Sequence, residues 1–375
     1  MLPYDSPDLS EFAGYFTAKE PGRRERADAW ATAIGLQQVD GLTPSRFLVE
    51  TAKEHIEGKI TQAQVRRRVN SYYEAKNEVG GPDPEKEEPD KVSERIAAIL
   101  NDGGFAFSPA YLKSIHRRLF RGILKTAGRW RTVNIRKHEW VLKEDSVTYA
   151  PHGDIEALLK SDFATEEEFD YSGKSAKEMI PHFAAFVSYI WQRHGFMEGN
   201  TRVTAVFAIK YLRQLGYGVT NNMFAENSWY FRNALVRANY TGLGKNSGRT
   251  LAFLIAFFRN LLLGEKNEMK SRYLLIGIDR PPPRFESEEK AVRKSGKKSR
   301  EKNREKSREK SREKILAVLK TNPSLTQAAL ARRFGLSVKA VEKNIRLLKA
   351  AGRLRRIGPD KGGHWQVEAA AVKGK

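Results

Sequence analysis

Nine residues, HGFMEGNTR from His194 to Arg202, gather a histidine, a carboxylate, a glycine, an asparagine and an arginine between two strongly apolar segments. The segment before, AKEMIPHFAAFVSYIWQRH, and the segment after, NTRVTAVFAIKYLRQLG, space their apolar residues as helices do, so the nine residues read as the end of one helix and the start of the next. A helix start offers unpaired N–H groups and the positive end of its dipole, and Arg202 adds a bidentate donor suited to phosphate. An arginine in a first turn opposes the dipole, which argues for an anion there. Gly199 lets backbone approach a ligand. Glu198 suits Mg²⁺, which takes one or two carboxylates and completes its shell with phosphate oxygens and water. His194 can accept a proton from a hydroxyl, because its reference pKa lies near the working pH. A polar inter-helix loop around a buried, hydrogen-bonded histidine would carry the same residue types.

The elements that must position this loop read as mainly α. Before it come ADAWATAIGLQ, then SRFLVETAKEHIEG with Ser45 as N-cap and Gly58 as stop, then TQAQVRRRVNSYY from the cap Thr61. SPAYLKSIHRRLFRGIL starts at the cap Ser108 with Pro109 in the first turn. In TVNIRKHEWVLKEDSVTYAP the period changes to alternation, with Lys143, Glu144 and Asp145 as a turn, which predicts a β-hairpin. After the loop, FAENSWYFRNALVRANY and RTLAFLIAFFRNLLLGEKNEMKSRY are helical. Two low-complexity stretches punctuate the chain. Residues 79–92 hold Pro82, Pro84 and Pro89, which predicts a solvated linker, and residues 281–314 end in SREK-type repeats, which predicts a basic charged spacer with partial helicity.

With these surroundings, HGFMEGNTR resembles the Fic-family signature H-P-F-x-[D/E]-G-N-[G/x]-R-x-x-R. GRWRTVNIRKHEWVLKEDSVTYAP is similar to that family's β-hairpin flap, and IHRRLFRGIL to the helix before it. The resemblance implies a Fic-type helical bundle over 93–280 that transfers AMP from ATP, with Mg²⁺, to a Tyr, Thr or Ser hydroxyl of a target protein, itself included. It makes His194 the general base, Phe196 the loop's core anchor and Glu198 the metal ligand. Gly199, Asn200 and Thr201 would cradle the phosphates and Arg202 would neutralise them. Val133, Asn134, Ile135, Arg136 and Trp140 would dock the target. Three positions depart from the pattern: Gly195 replaces proline, Thr201 replaces glycine, and Ala205 replaces the final arginine. A phosphotransferase, or a DNA-binding regulator with a nucleotide-sensing Fic fold, are the alternatives these departures raise.

Residues 1–78 resemble the antitoxin-type helical segment that restrains many Fic enzymes, with Asp40 and Gly41 in GLQQVDG at the inhibitory position. Ala205 removes the usual arginine partner, so an inhibitory contact must use another cation such as Arg202. Exposed helical surfaces of the family often form dimers, which makes a homodimer one expected assembly.

Charge and composition bound the rest. The chain of 375 residues has no cysteine, which excludes disulfides, a thiolate zinc site and a cysteine nucleophile. Residues 281–375 carry 27 Lys and Arg against 10 Asp and Glu, while residues 1–280 are net +5, so the last quarter is the polyanion-binding part. There, SLTQAALARRFGLSVKAVEKNIRLLKAAGRLRRIGPDKGGHWQV resembles a winged helix-turn-helix over 315–375. Helices at Thr326–Phe334 and Val338–Ala350 lead into two wing strands with a tip from Pro359 to Gly363. Ser337, which also caps the second helix, Lys339, Lys343 and Asn344 would face the DNA major groove, and Arg355, Arg356 and Lys361 its phosphates. The start MLPYDSPDLSEF has neither a basic nor an apolar run, and no other stretch suggests a membrane segment, so a cytoplasmic protein is expected.

Overall fold

A computed structural model describes residues 9–81, 83–219, 222–242, 249–278, 282–283, 312–313, 315–334, 338–359 and 363–368, with the side chains of residues 332 and 338–340 left aside. The chain divides into two compact units, residues 1–289 and 290–375.

In the first unit the helices run α1 (Ala13–Phe16), α2 (Pro21–Gly35), α3 (Arg46–Ile56), α4 (Gln62–Gly80), α5 (Pro84–Asn101), α6 (Pro109–Phe120), α7 (Ile155–Glu167), α8 (Ala176–Arg193), α9 (Asn200–Gln214), α10 (Met223–Glu226), α11 (Ser228–Asn239) and α12 (Ala252–Leu263). The expected caps hold. Ser45 Oγ accepts from the Leu48 amide, Ser108 Oγ from the Tyr111 amide, and Thr61 forms a reciprocal box with Gln64. At the centre lies α9, buried without interruption from Asn200 to Leu212, so the helix that follows the nine-residue loop is enclosed on every face. The N-terminal helices share one apolar core with the rest of the unit, Trp30 and Tyr73 joining Phe183, Phe207 and Phe257.

Residues 79–92 are not a linker. Helix α4 continues to Gly80, and α5 begins at Pro84. Proline at the first helical position removes only an N–H that has no partner there, and Glu85 and Glu87 favour the positive end of the dipole. Pro89 lies inside the helix, where tertiary contacts hold it: the neighbouring Asp90 is buried and accepts from the Ser45 amide (2.7 Å), the Ser45 hydroxyl and the Tyr73 hydroxyl (2.7 Å). Of the acids in this stretch, Asp90 is buried, Asp83, Glu87 and Glu88 are half-buried, and Glu85 stays exposed.

The flap also differs from its expectation. Residues 133–150 fold back at the predicted turn, with Lys143 and Glu144 at positive φ and the Glu139 amide bonded to the Asp145 carbonyl. They form a 3-10 turn at Trp140–Leu142 but no strand ladder. Side-chain bonds tie the segment together, the His152 amide donating to Asn134 Oδ1 and the Tyr149 hydroxyl to Glu139.

Among the described residues the second unit contains α13 over 315–321, α14 (Gln327–Phe334), α15 (Val338–Ala350) and the antiparallel strands β1 (Leu354–Ile357) and β2 (His364–Val367), with Leu354 opposite Val367. Ile315, Leu319, Leu330, Val341, Ile345 and Leu348 form its core with Trp365. Most of 281–314 lies outside the described residues. No helix among the described residues is long and apolar enough to cross a membrane.

Candidate functional site

Helix α8 ends at His194, which adopts a left-handed conformation (φ 46°) that turns the chain into the loop. Its imidazole is buried, and neither ring nitrogen has a hydrogen-bond partner among the described residues. Tyr149 of the flap covers it, ring centroids 4.1 Å apart. Burial, reinforced by the positive charges of Lys137, Arg232 and Arg131, pushes its pKa well below the usual histidine value. The ring is therefore neutral at neutral pH, with a free lone pair.

Arg131 fixes the loop to the flap. Its Nε donates to the His194 carbonyl (2.8 Å), its two terminal nitrogens to Val133 O (2.6 Å) and Ala150 O, and its backbone amide to Gly195 O (2.8 Å). One buried guanidinium thus ties both roots of the flap to the histidine backbone. Gly195, where the resemblance expected proline, has a packing reason: a Cβ there would lie 2.7 Å from the Trp130 ring. The backbone at this position is confined by Trp130 and not loosened.

Asn200 pins the loop from the other side, its amide oxygen accepting from the Phe196 N–H (2.9 Å) and its amide nitrogen donating to the Phe196 carbonyl (2.7 Å). The side chain is thereby engaged within the protein. Phe196 is buried as expected, stacked on His116 at 3.8 Å. His116 accepts from the Gly128 amide at Nδ1 (2.8 Å), so its Nε2 carries the proton and donates to the Glu198 carbonyl (3.2 Å). Burial pushes the His116 pKa down to about 4. Gly199 sits at φ 72°, and a Cβ would fall 2.4 Å from the Phe120 ring, so glycine is required by Phe120 and by the backbone, before any ligand is considered. The Thr201 hydroxyl accepts from the buried Trp191 indole (3.0 Å).

At the far end of the loop, Arg202 is 2% exposed and surrounded by acceptors. Its Nε lies 2.9 Å from Asp40 Oδ2, its NH1 donates to Gln37 (3.0 Å) and its NH2 to Glu88 (2.8 Å). Phe120 stacks over the guanidinium at 4.8 Å. Asp40 ends a 3-10 turn, Leu36–Asp40, that follows α2, and Gly41 closes the turn at φ 73°. Ala205 is fully buried in the core and brings no cation.

Glu198 is exposed, and only its backbone carbonyl is engaged among the described residues. No group of three or more metal-ligating side chains occurs among those residues. A single free carboxylate at a helix start fits Mg²⁺ completed by phosphate oxygens and water, and does not fit an all-protein cage. Of the docking residues expected in the flap, Asn134, Ile135 and Arg136 line a groove of about 440 Å³ with Asp145, Tyr149 and Tyr240. Val133 is 50% exposed beside them, and Trp140 sits half-buried in the 3-10 turn, outside the groove lining.

In the second unit Lys343 and Arg355 are exposed, Asn344 is half-buried, and the Arg356 guanidinium lies 4.9 Å from the Trp365 ring. Lys339 belongs to α15, but its side chain is not described, and Ser337 and Lys361 lie outside the described residues.

The sequence reading missed Arg131, His116, Tyr149, Gln37 and Glu88. His116 alone left a signal, since it occupies the apolar stripe of α6 between Leu112 and Leu119. The others act through contacts between distant segments.

A buried histidine, an exposed carboxylate and a buried arginine thus lie around the start of α9. Residues 106–212 match the Fic/DOC family and residues 308–355 match a winged helix-turn-helix DNA-binding family. The chain thus carries a Fic/DOC-family domain and a winged helix-turn-helix domain. Two solved structures are similar to it. One is the N-terminal Fic domain of Bep8, a VirB-translocated effector of Bartonella sp. 1-1C (17% identity, TM-score 0.36, covering 46% of this chain and 81% of that one). The other is the N-terminal Fic domain of a Bep effector of Bartonella sp. AR 15-3 (18% identity, TM-score 0.38, 48% and 83%). No curated protein sequence matches the chain.

Proposed function

We propose that the first unit is a protein adenylyltransferase. His194 takes the proton of an acceptor Tyr, Thr or Ser hydroxyl. The hydroxyl oxygen then bonds to the α-phosphorus of ATP, the bond from that phosphorus to the β-bridging oxygen breaks, and pyrophosphate leaves. The observation that carries this reading is the buried His194, both ring nitrogens without a partner among the described residues, beside the helix start of α9. Backbone N–H groups of Asn200 and Thr201 and the Arg202 guanidinium receive the phosphates. Glu198 would hold Mg²⁺, which supplies charge neutralisation to the nucleotide. The acceptor lies along the flap groove beside Asn134, Ile135 and Arg136.

In this reading Asp40 and Glu88 occupy Arg202 in place of phosphate, and Tyr149 shields His194, so the protein is held in a restrained state. The second unit binds DNA through Lys343, Asn344, Arg355 and Arg356, with Ser337, Lys339 and Lys361. Charge reversal at Lys343 and Arg355 should weaken duplex binding and reduce its salt dependence.

Intact-mass analysis after incubation with Mg²⁺ and ATP labelled at the α- or γ-position tests the transfer, with Glu198→Ala as control. An AMP adduct from the α-label, absent in the control, is the expected result. Label from the γ-position would make the protein a phosphotransferase. No label in either the native protein or an Asp40→Ala/Glu88→Ala variant would favour a nucleotide-sensing regulator, the reading that the occupied Arg202 and Ala205 otherwise support.

A further inference from the structure

From Gly103 to His138 the chain carries nine Lys and Arg and no Asp or Glu, whereas residues 1–280 together are net +5, leaving the remainder of that span at −4. Several of the nine are engaged within the fold. Arg131 is buried, Arg118 pairs with Asp102, Arg136 pairs with Asp145, and Lys113 lies over Trp130. Arg117, Arg121, Lys125 and Arg129 are different. All four are exposed, and none has an acidic partner among the described residues.

Three of them, Arg117, Arg121 and Lys125, line a cleft of about 690 Å³ at the end of α6. Its floor is ordered by the Ile123 and Leu124 amides bonding to Phe120 O, by the Ala127 amide bonding to Leu124 O, and by Arg95 donating to Arg121 O (2.9 Å). Uncompensated like charges repel, so an ordered surface that concentrates them suits an anionic partner that arrives from outside. Preordering also lowers the entropy lost on docking.

The cleft adjoins the transfer site. The same loop supplies the Gly128 amide that orients His116 and the Trp130 ring that confines Gly195. The basic run then continues into Arg136 and Lys137 of the flap.

We infer that this face docks an acidic surface of the acceptor protein, beside the hydroxyl that is modified. The inference rests on the protein-transfer reading above. Continuity with the flap favours an acidic protein over nucleic acid, for which the chain has a separate unit.

The test uses the full-length chain, fluorescence anisotropy and two probes, an oligo-glutamate peptide containing tyrosine and a mixed-sequence DNA duplex. In an Arg117→Glu/Arg121→Glu/Lys125→Glu variant, peptide affinity should fall about tenfold or more, with duplex affinity within roughly threefold of the native protein. The milder Arg117→Gln/Arg121→Gln/Lys125→Gln variant, checked for native melting, should lie between. An unchanged peptide affinity overturns the inference. So does a duplex affinity that falls as far as the peptide's, which would make the face a nucleic-acid or unselective polyanion surface. AMP transfer is measured in parallel by intact mass, in the native protein and in the Asp40→Ala/Glu88→Ala variant: its absence from both, on the chain itself and on the peptide, counts against the transfer reading, while the binding comparison still decides the docking face.

Discussion

The two ends of the nine-residue loop are built on opposite plans. At the His194 end the ring nitrogens are buried and without a partner among the described residues, with the hydrogen bonds falling on the backbone through Arg131 and on neighbouring side chains. At the Arg202 end the functional group already faces internal acceptors, bonded to Gln37 and Glu88 and ion-paired with Asp40. In the proposed reading the base is preorganised for a proton donor, whereas the cation must exchange internal acids for a ligand. In that reading regulation belongs at the arginine end and chemistry at the histidine end, although only eight positions separate them.

The largest expected effect is at the histidine end. His194→Ala should lower AMP transfer by about 10²- to 10⁴-fold while ATP binding, measured by calorimetry, stays close to native. A comparable loss of ATP affinity would break the division between the two ends.

The pH dependence of folding comes next. Burial holds His116 and His55 at about 4, below the ordinary value of 6.5 that the unfolded chain shows. Both rings are neutral in both states above that value, so stability is level there. As pH falls the unfolded chain takes up protons first, and stability declines between about 6.5 and 4, by up to roughly 3 kcal/mol for His116 and by less for the less deeply buried His55. Asp28, raised to about 6 by burial, works in the opposite sense and offsets part of the decline. Urea midpoints at pH 7 and 5 should show the drop, and His116→Gln should remove its share.

Replacing Arg131 by Met keeps bulk but strands the carbonyls of Val133 and His194, which should destabilise the protein by about 2–3 kcal/mol and open residues 133–150 to protease. A flap as resistant as native would show that its own side-chain bonds suffice.

Asp40→Ala with Glu88→Ala tests the arginine end: ATP should bind about tenfold more tightly, and transfer should rise with it. Unchanged affinity would make these acids purely structural. The smallest effect should be Gly195→Ala, destabilising by about 1–2 kcal/mol through the clash with Trp130 and relieved by Trp130→Leu in the same chain.

Much of this molecule can be read without coordinates wherever the cause is local. Ser45, Thr61 and Ser108 cap helices because a hydroxyl three residues from an amide is a property of sequence spacing. The winged unit is legible for the same reason, since α15 and the strand pair follow apolar periodicity and a turn. The flap misled because alternation signals an extended chain but cannot say whether a ladder or side-chain bonds will hold it. Residues 79–92 misled because prolines speak only for local preference, and Asp90 and Glu88 are fixed by partners 45 and 114 residues away.

Helices, their caps, the nine-residue loop and the basic second unit can be read from residue order, because each follows from neighbours along the chain. That His194 is buried without a partner among the described residues, that Trp130 explains Gly195 and that Asp40 meets Arg202 emerge from the fold alone. Desolvation and ion pairing depend on which distant groups fold against a side chain, and spacing along the sequence carries no record of that.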